Sequence, residues 1–400
     1  MKNPILEHRW ADKYPEVGKI PVSVEPNISQ DYFEKERELI FRHSWLCVGR
    51  ANEIPTAGDY FVKDIKVLKT SVLIVHGHDG HIAGFHNVCQ HRGNKLKVEG
   101  KGNTSSLVCG FHGWVYDLKG LLAHVPDEDQ FSGFDKCDFG LAAISTDIWE
   151  GFIFINLETQ PKETLMASMG TLHQQYGDFP FNEMEVVSFY SATVNANWKV
   201  FMDITQESYH VPFLHRKIVP DSNVGGDNPF CHLPSIRIHE FNRAASMYAN
   251  PDHKLTPVEE IVYKPGTTVL GGTDFGQSLP EGVNPDEVEN WAFDSNIIFP
   301  NLILHVSNGW FITHSYWPIS VNCTYWENKL YMKPAETAGE KMSQEFSKVI
   351  ARDLARGDLS TLETVQKGLE SGALKCMPLS DQEINLRHHY RVVNDLVQGR

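Results

Sequence analysis

No apolar run in this sequence approaches the ~20 residues that a membrane-spanning helix needs, so no membrane association is expected. The opening, MKNPILEHRWADKYPEVG, lacks the apolar stretch of a secretory signal, and a cytoplasmic protein is expected. Positive charge is scarce: 36 Lys and Arg face 51 Asp and Glu, for a formal net charge of −15. Binding nucleic acid rests on clustered basic residues, which excludes that class of partner, whereas an acidic surface suits solubility and a basic redox partner. Cysteine is sparse and odd in number, at seven. Five of the seven, Cys47, Cys137, Cys231, Cys323 and Cys376, are scattered; they read as small buried hydrophobes in a reducing compartment, not as a disulfide framework. There is no internal repeat and no low-complexity tract.

What is present is an ordinary globular composition, 41% hydrophobic and 22% charged, over 400 residues, more than one core usually serves. Residues 1–43 read as a Pro- and charge-rich arm followed by an amphipathic helix, SQDYFEKERELIF, with Ser29 as its N-cap. Residues 44–160 hold short β-like runs such as WLCVGR, SVLIVHG, HIAGFHNV and GFIFINL, and predict a small all-β domain. Residues 161–400 form a third region with a helical stretch at 165–176 and an alternating strand, MEVVSFYSATVNANW. The period then changes, and 197–214 reads as one helix. Residues 220–290, rich in Gly, Pro, Asn and Asp, read as a long loop at a substrate entrance. Asn308-Gly309 marks a hairpin within NLILHVSNGWFITHSYWP. NCTYWENKLYMKP predicts a further strand, and helices at 336–355, 358–370 and 380–397 close the chain.

Two short segments, CQHRGN and CGFHGW, each offer one thiolate and one imidazole: Cys89 with His91, and Cys109 with His112, separated by residues 92–108. A Rieske [2Fe–2S] cluster places two Cys on one iron and two His on the other, so loops that each bring one of each suit it. Zinc is the competing metal, but structural zinc modules more often pair Cys with Cys and His with His. Gly93, Gly110 and Gly113 let the loop backbones wrap closely. Trp114 covers the cluster or fills the core, and Tyr116 donates to a sulfur or simply packs.

His210 and His215 stand five apart in TQESYHVPFLH, a little over one helical turn, and Pro212 makes the local distortion that would aim both at one point plausible. Alone they read as two surface histidines; with a carboxylate from elsewhere they make a facial triad that leaves positions open on Fe(II). A one-electron donor needs an acceptor in the same system, which favours the triad.

Taken with NWK at 197–199, the carboxylate-x-Tyr-His-x4-His run at 207–215 and the late DLSTLETVQKGL, these motifs span residues ~45–370 and resemble the large catalytic (alpha) subunits of Rieske non-haem iron oxygenases, the aromatic-ring-hydroxylating family. The resemblance implies an α+β fold: a Rieske [2Fe–2S] antiparallel β domain, then a catalytic domain whose curved antiparallel sheet wraps the iron-bearing helices, with the arm folded onto it. It implies a [2Fe–2S] cluster and a mononuclear Fe(II) held by His210, His215 and Asp358, with Asp353 the competing position. Glu207, three residues before His210 and on the same face of a helix, matches the family's bridging carboxylate between His210 and a cluster histidine, His112. Asp203, one turn earlier, is a further candidate for orienting a ligand, with a structural carboxylate as the alternative. Phe201, Met202, Gln206, Phe213, Leu214, Ile297, Trp310 and Phe311 are candidates to line the pocket.

The implied activity is that of a terminal oxygenase. Electrons come from an NAD(P)H-dependent reductase or ferredoxin, and O2 is used to mono- or dioxygenate an aromatic or related organic substrate. The implied assembly is a head-to-tail homotrimer (α3), with or without a small β subunit (α3β3), in which the cluster of one chain serves the iron of the next. Many ring-dihydroxylating members carry Asp where this chain has Glu207, and Glu is familiar in members acting on quaternary ammonium compounds. Oxidative demethylation or hydroxylation of a betaine- or carnitine-like or methoxy compound is therefore the alternative. An electron-transfer Rieske protein with an inert C-terminal domain is the alternative from another class.

Overall fold

The computed structural model describes residues 9–98, 100–270 and 279–400, in two compact units: Phe41–Ala167, and the described residues up to Ile40 together with Ser168–Arg400. The unit boundaries fall at 40/41 and 167/168. Residues 1–8 of the predicted arm and 271–278 of the predicted entrance loop lie outside the described residues. Among those described, no helix is long and apolar enough to cross a membrane.

The Phe41–Ala167 unit is built on a seven-stranded sheet, in the order Leu46–Arg50, Phe152–Asn156, Ala143–Trp149, Ile82–His86, Thr70–His76, Asp59–Ile65 and Lys101–Asn103, with antiparallel neighbours throughout. A second, three-stranded antiparallel sheet joins Leu107–Val108, Val115–Tyr116 and Leu122–His124. The core between them gathers Leu73, Val75, Phe85, Leu107, Trp114 and Tyr116 with the two thiols Cys89 and Cys109. The two Cys-His loops close in the same way. Cys89 N–H donates to the Asn94 carbonyl (2.8 Å) and Gly93 N–H to Cys89 (3.0 Å); Cys109 N–H donates to Trp114 (2.8 Å) and Gly113 N–H to Cys109 (3.0 Å). Gly93 (φ 75°) and Gly113 (φ 72°) take the left-handed conformation this turn requires.

The second unit carries a curved seven-stranded antiparallel sheet in the order Glu185–Val194, Cys323–Met332, Trp310–Ser320, Leu302–Ser307, Trp291–Ile298, Asn242–Tyr248 and Ser235–His239. The predicted hairpin is present, with Ser307 paired to Trp310 across Asn308-Gly309 and Gly309 at φ 80°. Three expectations differ. The single helix over 197–214 is two short helices, Trp198–Asp203 and Val211–Leu214, separated by residues 204–210 that leave the helical path; Pro212 sits at the start of the second, where its missing N–H is harmless. The 220–290 segment is not one loop, since Ser235–His239 and Asn242–Tyr248 close the sheet and Pro257–Val262 is a helix. The strand Asn242–Tyr248 is buried along almost its whole length and built from small and polar residues, so it shows no hydrophobic alternation. The two helices at 336–355 and 358–370 are one, Ala338–Glu370, capped by a reciprocal Thr337/Glu340 box and continuous through Gly357.

The arm is held on this second unit by specific contacts. Backbone N–H groups of Trp10 and Ala11 donate to the Asp381 carboxylate (2.8 and 2.9 Å), and Val22–Ser23 pairs with Cys376–Met377. Ser29 caps the helix Gln30–Glu36, accepting from Tyr32 N–H at 3.2 Å. At the end of that helix Glu36 is fully buried, taking Lys199 Nζ at 2.5 Å and Trp198 Nε1 at 2.9 Å. Burial pushes the Glu36 carboxyl up and the Lys199 ammonium down, and each charge is upheld by the other. Lys199→Met leaves the Glu36 charge alone in the core and is expected to cost about 3–5 kcal/mol of unfolding free energy, whereas Glu36→Gln with Lys199→Met costs much less. Chemical denaturation of the two variants checks this; equal losses would contradict it.

Candidate functional site

In the Phe41–Ala167 unit Cys89 and Cys109 are each 2% exposed, and the His91 and His112 rings lie 4.6 Å apart at 69°. Tyr116 Oη accepts from Gln90 N–H at 3.0 Å, which leaves its own proton for Cys89 Sγ at 3.3 Å. Asn94 Nδ2 stands 3.8 Å from Cys109 Sγ. Burial favours the thiol at both cysteines. At Cys109 the amides of Phe111 and His112 outweigh burial and bring its pKa down; at Cys89 burial prevails and raises it. Of the two neighbouring sulfurs, Cys109 is thus the more acidic. Trp114 is buried and stacks on His91 at 4.8 Å and 7°, so it packs and shields at once. Burial, with His112 and Arg92 nearby, keeps His91 neutral, and its Nδ1 is buried without a partner. Two sulfurs, two rings and an orphaned ring nitrogen fit a [2Fe–2S] cluster with mixed ligands.

In the second unit His210, His215 and Asp358 bring their ligand atoms within 4.8 Å of one another. His215 Nε2 lies 2.9 Å and His210 Nε2 3.7 Å from Asp358 Oδ1. Of the two carboxylates weighed from the sequence, Asp358 shares this point, while Asp353 pairs with Arg352 at 2.8 Å. Glu207 reaches His210 twice, through Nδ1 at 2.5 Å and the backbone N–H at 3.2 Å. A carboxylate only accepts, so His210 Nδ1 carries the proton and Nε2 presents its lone pair to Asp358 and His215. Burial lowers the basicity of His210, but Glu207 and Asp358 more than offset this and raise its pKa. The contact does not arise from i,i+3 neighbours on one helical face, because residues 204–210 are not helical; Glu207 instead caps the turn into the helix Val211–Leu214. Two imidazoles and a carboxylate around one point suit Fe(II) with open positions.

Asp203 is not part of this cluster. It accepts from Tyr390 Oη at 2.7 Å, and burial pushes its carboxyl up to about 7 against the pull of Tyr390, Lys199 and Arg243. Tyr390 is shared with Asn27 of the arm, so Asp203 serves the packing of arm and C-terminal helix beneath the site.

A cavity of about 130 Å³ adjoins the three ligands, between the concave face of the sheet and the helices. Of the predicted lining residues Trp310 reaches it; Phe201, Met202, Gln206, Phe213, Leu214, Ile297 and Phe311 do not. Strand alternation decides the last: Trp310, Ile312 and His314 face inward, while Phe311 stacks on Tyr331 at 4.2 Å on the other side. Sequence reasoning missed Phe293, Ser295, His305 and His314, although one histidine in each strand of an apolar hairpin is a signal. It also missed Gly357. A Cβ there would stand 2.8 Å from both Cε1 and Nδ1 of His215.

Alanine is the better helix former by about 1 kcal/mol, so a local effect alone would favour Gly357→Ala. The expected outcome is the opposite for the metal: His215 is displaced and iron falls from about three towards two per chain, with the cluster's visible absorption kept. Asp203→Asn keeps all of its iron. Elemental analysis beside absorption spectra checks both.

A family model described as the ring hydroxylating alpha subunit (catalytic domain) matches residues 181–399, and one for the Rieske [2Fe–2S] domain matches 44–142. The glycine betaine monooxygenase oxygenase subunit of Chromohalobacter salexigens is 32% identical over 187 residues, 47% of this chain and 41% of that protein. The carnitine monooxygenase oxygenase subunit of Acinetobacter baumannii is 32% identical over 191 residues, 47% of this chain and 50% of that one. The matched stretch thus spans half or less of these curated relatives. Among solved structures, a quaternary ammonium Rieske monooxygenase aligns with a TM-score of 0.73 at 21% identity, covering 94% of each chain. Naphthalene 1,2-dioxygenase from Rhodococcus aligns with 0.74 at 19%, covering 98% of each. With its catalytic-domain model matching more than half of the residues and a Rieske domain ahead of it, this chain belongs to the ring hydroxylating alpha-subunit family.

Proposed function

We propose that this chain is the terminal oxygenase of a Rieske system that takes electrons from an NAD(P)H-dependent reductase or ferredoxin and uses O2 to hydroxylate a small organic substrate in the cytoplasm. The observation that carries the reading is Glu207 bound to Nδ1 of His210, at the edge of a three-ligand site that opens on a largely apolar cavity. When bound, a [2Fe–2S] cluster on Cys89, His91, Cys109 and His112 supplies single electrons, and Fe(II) on His210, His215 and Asp358 supplies O2 activation.

The chain's own residues do the rest. Glu207 holds the Nδ1 proton of His210 and keeps Nε2 aimed at the metal position. Val211, Val219, Leu354 and Ile312 wall the cavity against water, which limits wasteful reaction of O2. Tyr209, Phe213 and Phe230 are 50%, 59% and 47% exposed and flank the Glu207–His210 segment. Exposed aromatics in such a group suit a covering partner, and a neighbouring copy in a head-to-tail trimer, bringing His112 of its cluster domain to Glu207, satisfies both the rings and the carboxylate. The first substrate reading is an aromatic or similarly apolar ring. The second is a quaternary ammonium compound, favoured by the betaine and carnitine monooxygenase subunits among the relatives.

Anaerobic reduction followed by O2 with a panel of aromatic compounds and betaines tests the reading: substrate-dependent O2 uptake is expected from one class, and none from either would remove it. Iron analysis separates an oxygenase, at roughly three irons per chain, from a carrier at two. Glu207→Gln keeps an acceptor for His210 Nδ1 and is expected to retain both metal sites while losing nearly all turnover; normal turnover would rule out its bridging role.

A further inference from the structure

Ser295 and His305 are direct cross-strand partners on the inner face of the sheet, and both line the cavity. Ser295 Oγ and His305 Nε2 are buried with no hydrogen-bond partner among the described residues. Buried polar atoms are nearly always paired, so two orphans side by side on a cavity wall imply a visiting group that pairs them. Burial pushes His305 down to about 4, so its ring is neutral at pH 7 and offers one donor and one acceptor nitrogen. The other histidine on this wall is committed: His314 Nδ1 accepts from Trp326 Nε1 at 3.3 Å and its Nε2 faces Asn328 at 3.3 Å. Phe293 lies beside the pair, its ring 5.1 Å from His305 and 5.7 Å from Trp310.

Charge and size narrow the visitor. Among the described residues lining the cavity, the carboxylates are Glu207, held by His210, and Asp358, at the metal position; no Lys or Arg is present. A zwitterion such as a betaine would leave its carboxylate with no cation and its ammonium with no uncommitted anion. The volume of about 130 Å³ is close to that of a ~150 Å³ apolar cavity that holds one benzene. Resting on the oxygenase reading above, we propose that Ser295 and His305 form an uncharged hydrogen-bonding subsite, and that the substrate is a single neutral ring carrying one hydroxyl, carbonyl or amino substituent. The pair anchors that substituent at the sheet and so determines which edge of the ring is turned towards the site of His210, His215 and Asp358.

Calorimetric titration of the anaerobic holoenzyme with phenol, toluene, benzoate and glycine betaine tests the subsite without relying on turnover. Phenol is expected to bind about tenfold more tightly than toluene, the effect of one net hydrogen bond, with benzoate and glycine betaine weaker than either. Ser295→Ala and His305→Phe each bring the phenol-to-toluene ratio towards one. The cluster's absorption and circular dichroism report folding, and if His305→Phe does not fold, Ser295→Ala decides. Tighter binding of benzoate or glycine betaine than of phenol, or an unchanged ratio in a folded variant, overturns the subsite. O2 uptake driven by glycine betaine alone would also overturn it while leaving the oxygenase reading intact. O2 uptake with no compound of the wider panel would remove the oxygenase reading, and the binding ratio would still judge the subsite.

Discussion

The hydrogen bond between Glu207 and Nδ1 of His210 is the constraint around which the second unit is arranged. A histidine offers a metal only the nitrogen that its other contact leaves free, so the carboxylate selects both the tautomer and the direction of Nε2. For Glu207 to reach His210 from three residues away and also cap its backbone N–H, residues 204–210 must leave the helix. The broken helix is therefore a requirement of the site. On the opposite side, Asp358 arrives from the middle of the long helix Ala338–Glu370, and Gly357 leaves the space that His215 occupies.

A segment outside regular structure needs other support, and a layer of buried polar groups supplies it. Gln206, directly before Glu207, is held by Arg243 Nε at 2.5 Å, meets His389 Nδ1 at 3.1 Å, and accepts on its carbonyl from Asn385 Nδ2 at 3.3 Å. Asp203 and Tyr390 tie the same stretch to Asn27, and Glu36 ties it to the arm through Lys199. In a low-dielectric interior each of these hydrogen bonds is stronger than it would be in water, and together they hold the stretch in place. The arm and the C-terminal helix, remote in sequence from the ligands, thereby fix where the ligands stand.

Much of this was legible in residue spacing, because metal chemistry demands particular side chains at particular separations. CQHRGN and CGFHGW show their ligands openly, and their matching glycines foretell the matching turns. The hairpin at Asn308-Gly309 and the cap at Ser29 are local signals that tertiary structure left intact. Signals failed where burial replaced periodicity. The strand Asn242–Tyr248 reads as loop because its own residues are mostly polar or small although buried, and Gly357 suggests a helix end although its missing side chain serves His215. The pocket wall was the least legible part. Ser295 and His305 meet only through strand pairing, a relation that no short-range pattern carries.

In the proposed function two metal-binding sets act as one catalyst, with an electron path between chains. Co-expression of two differently tagged chains tests that directly. A Cys109→Ser chain lacks the cluster, a His215→Ala chain lacks the mononuclear iron, and each alone is expected to be inactive. Mixed oligomers purified through both tags should recover substrate-dependent O2 uptake, because an intact cluster can then face an intact iron across an interface. Mixed oligomers as inactive as either parent, with both metals present by analysis, would contradict the account.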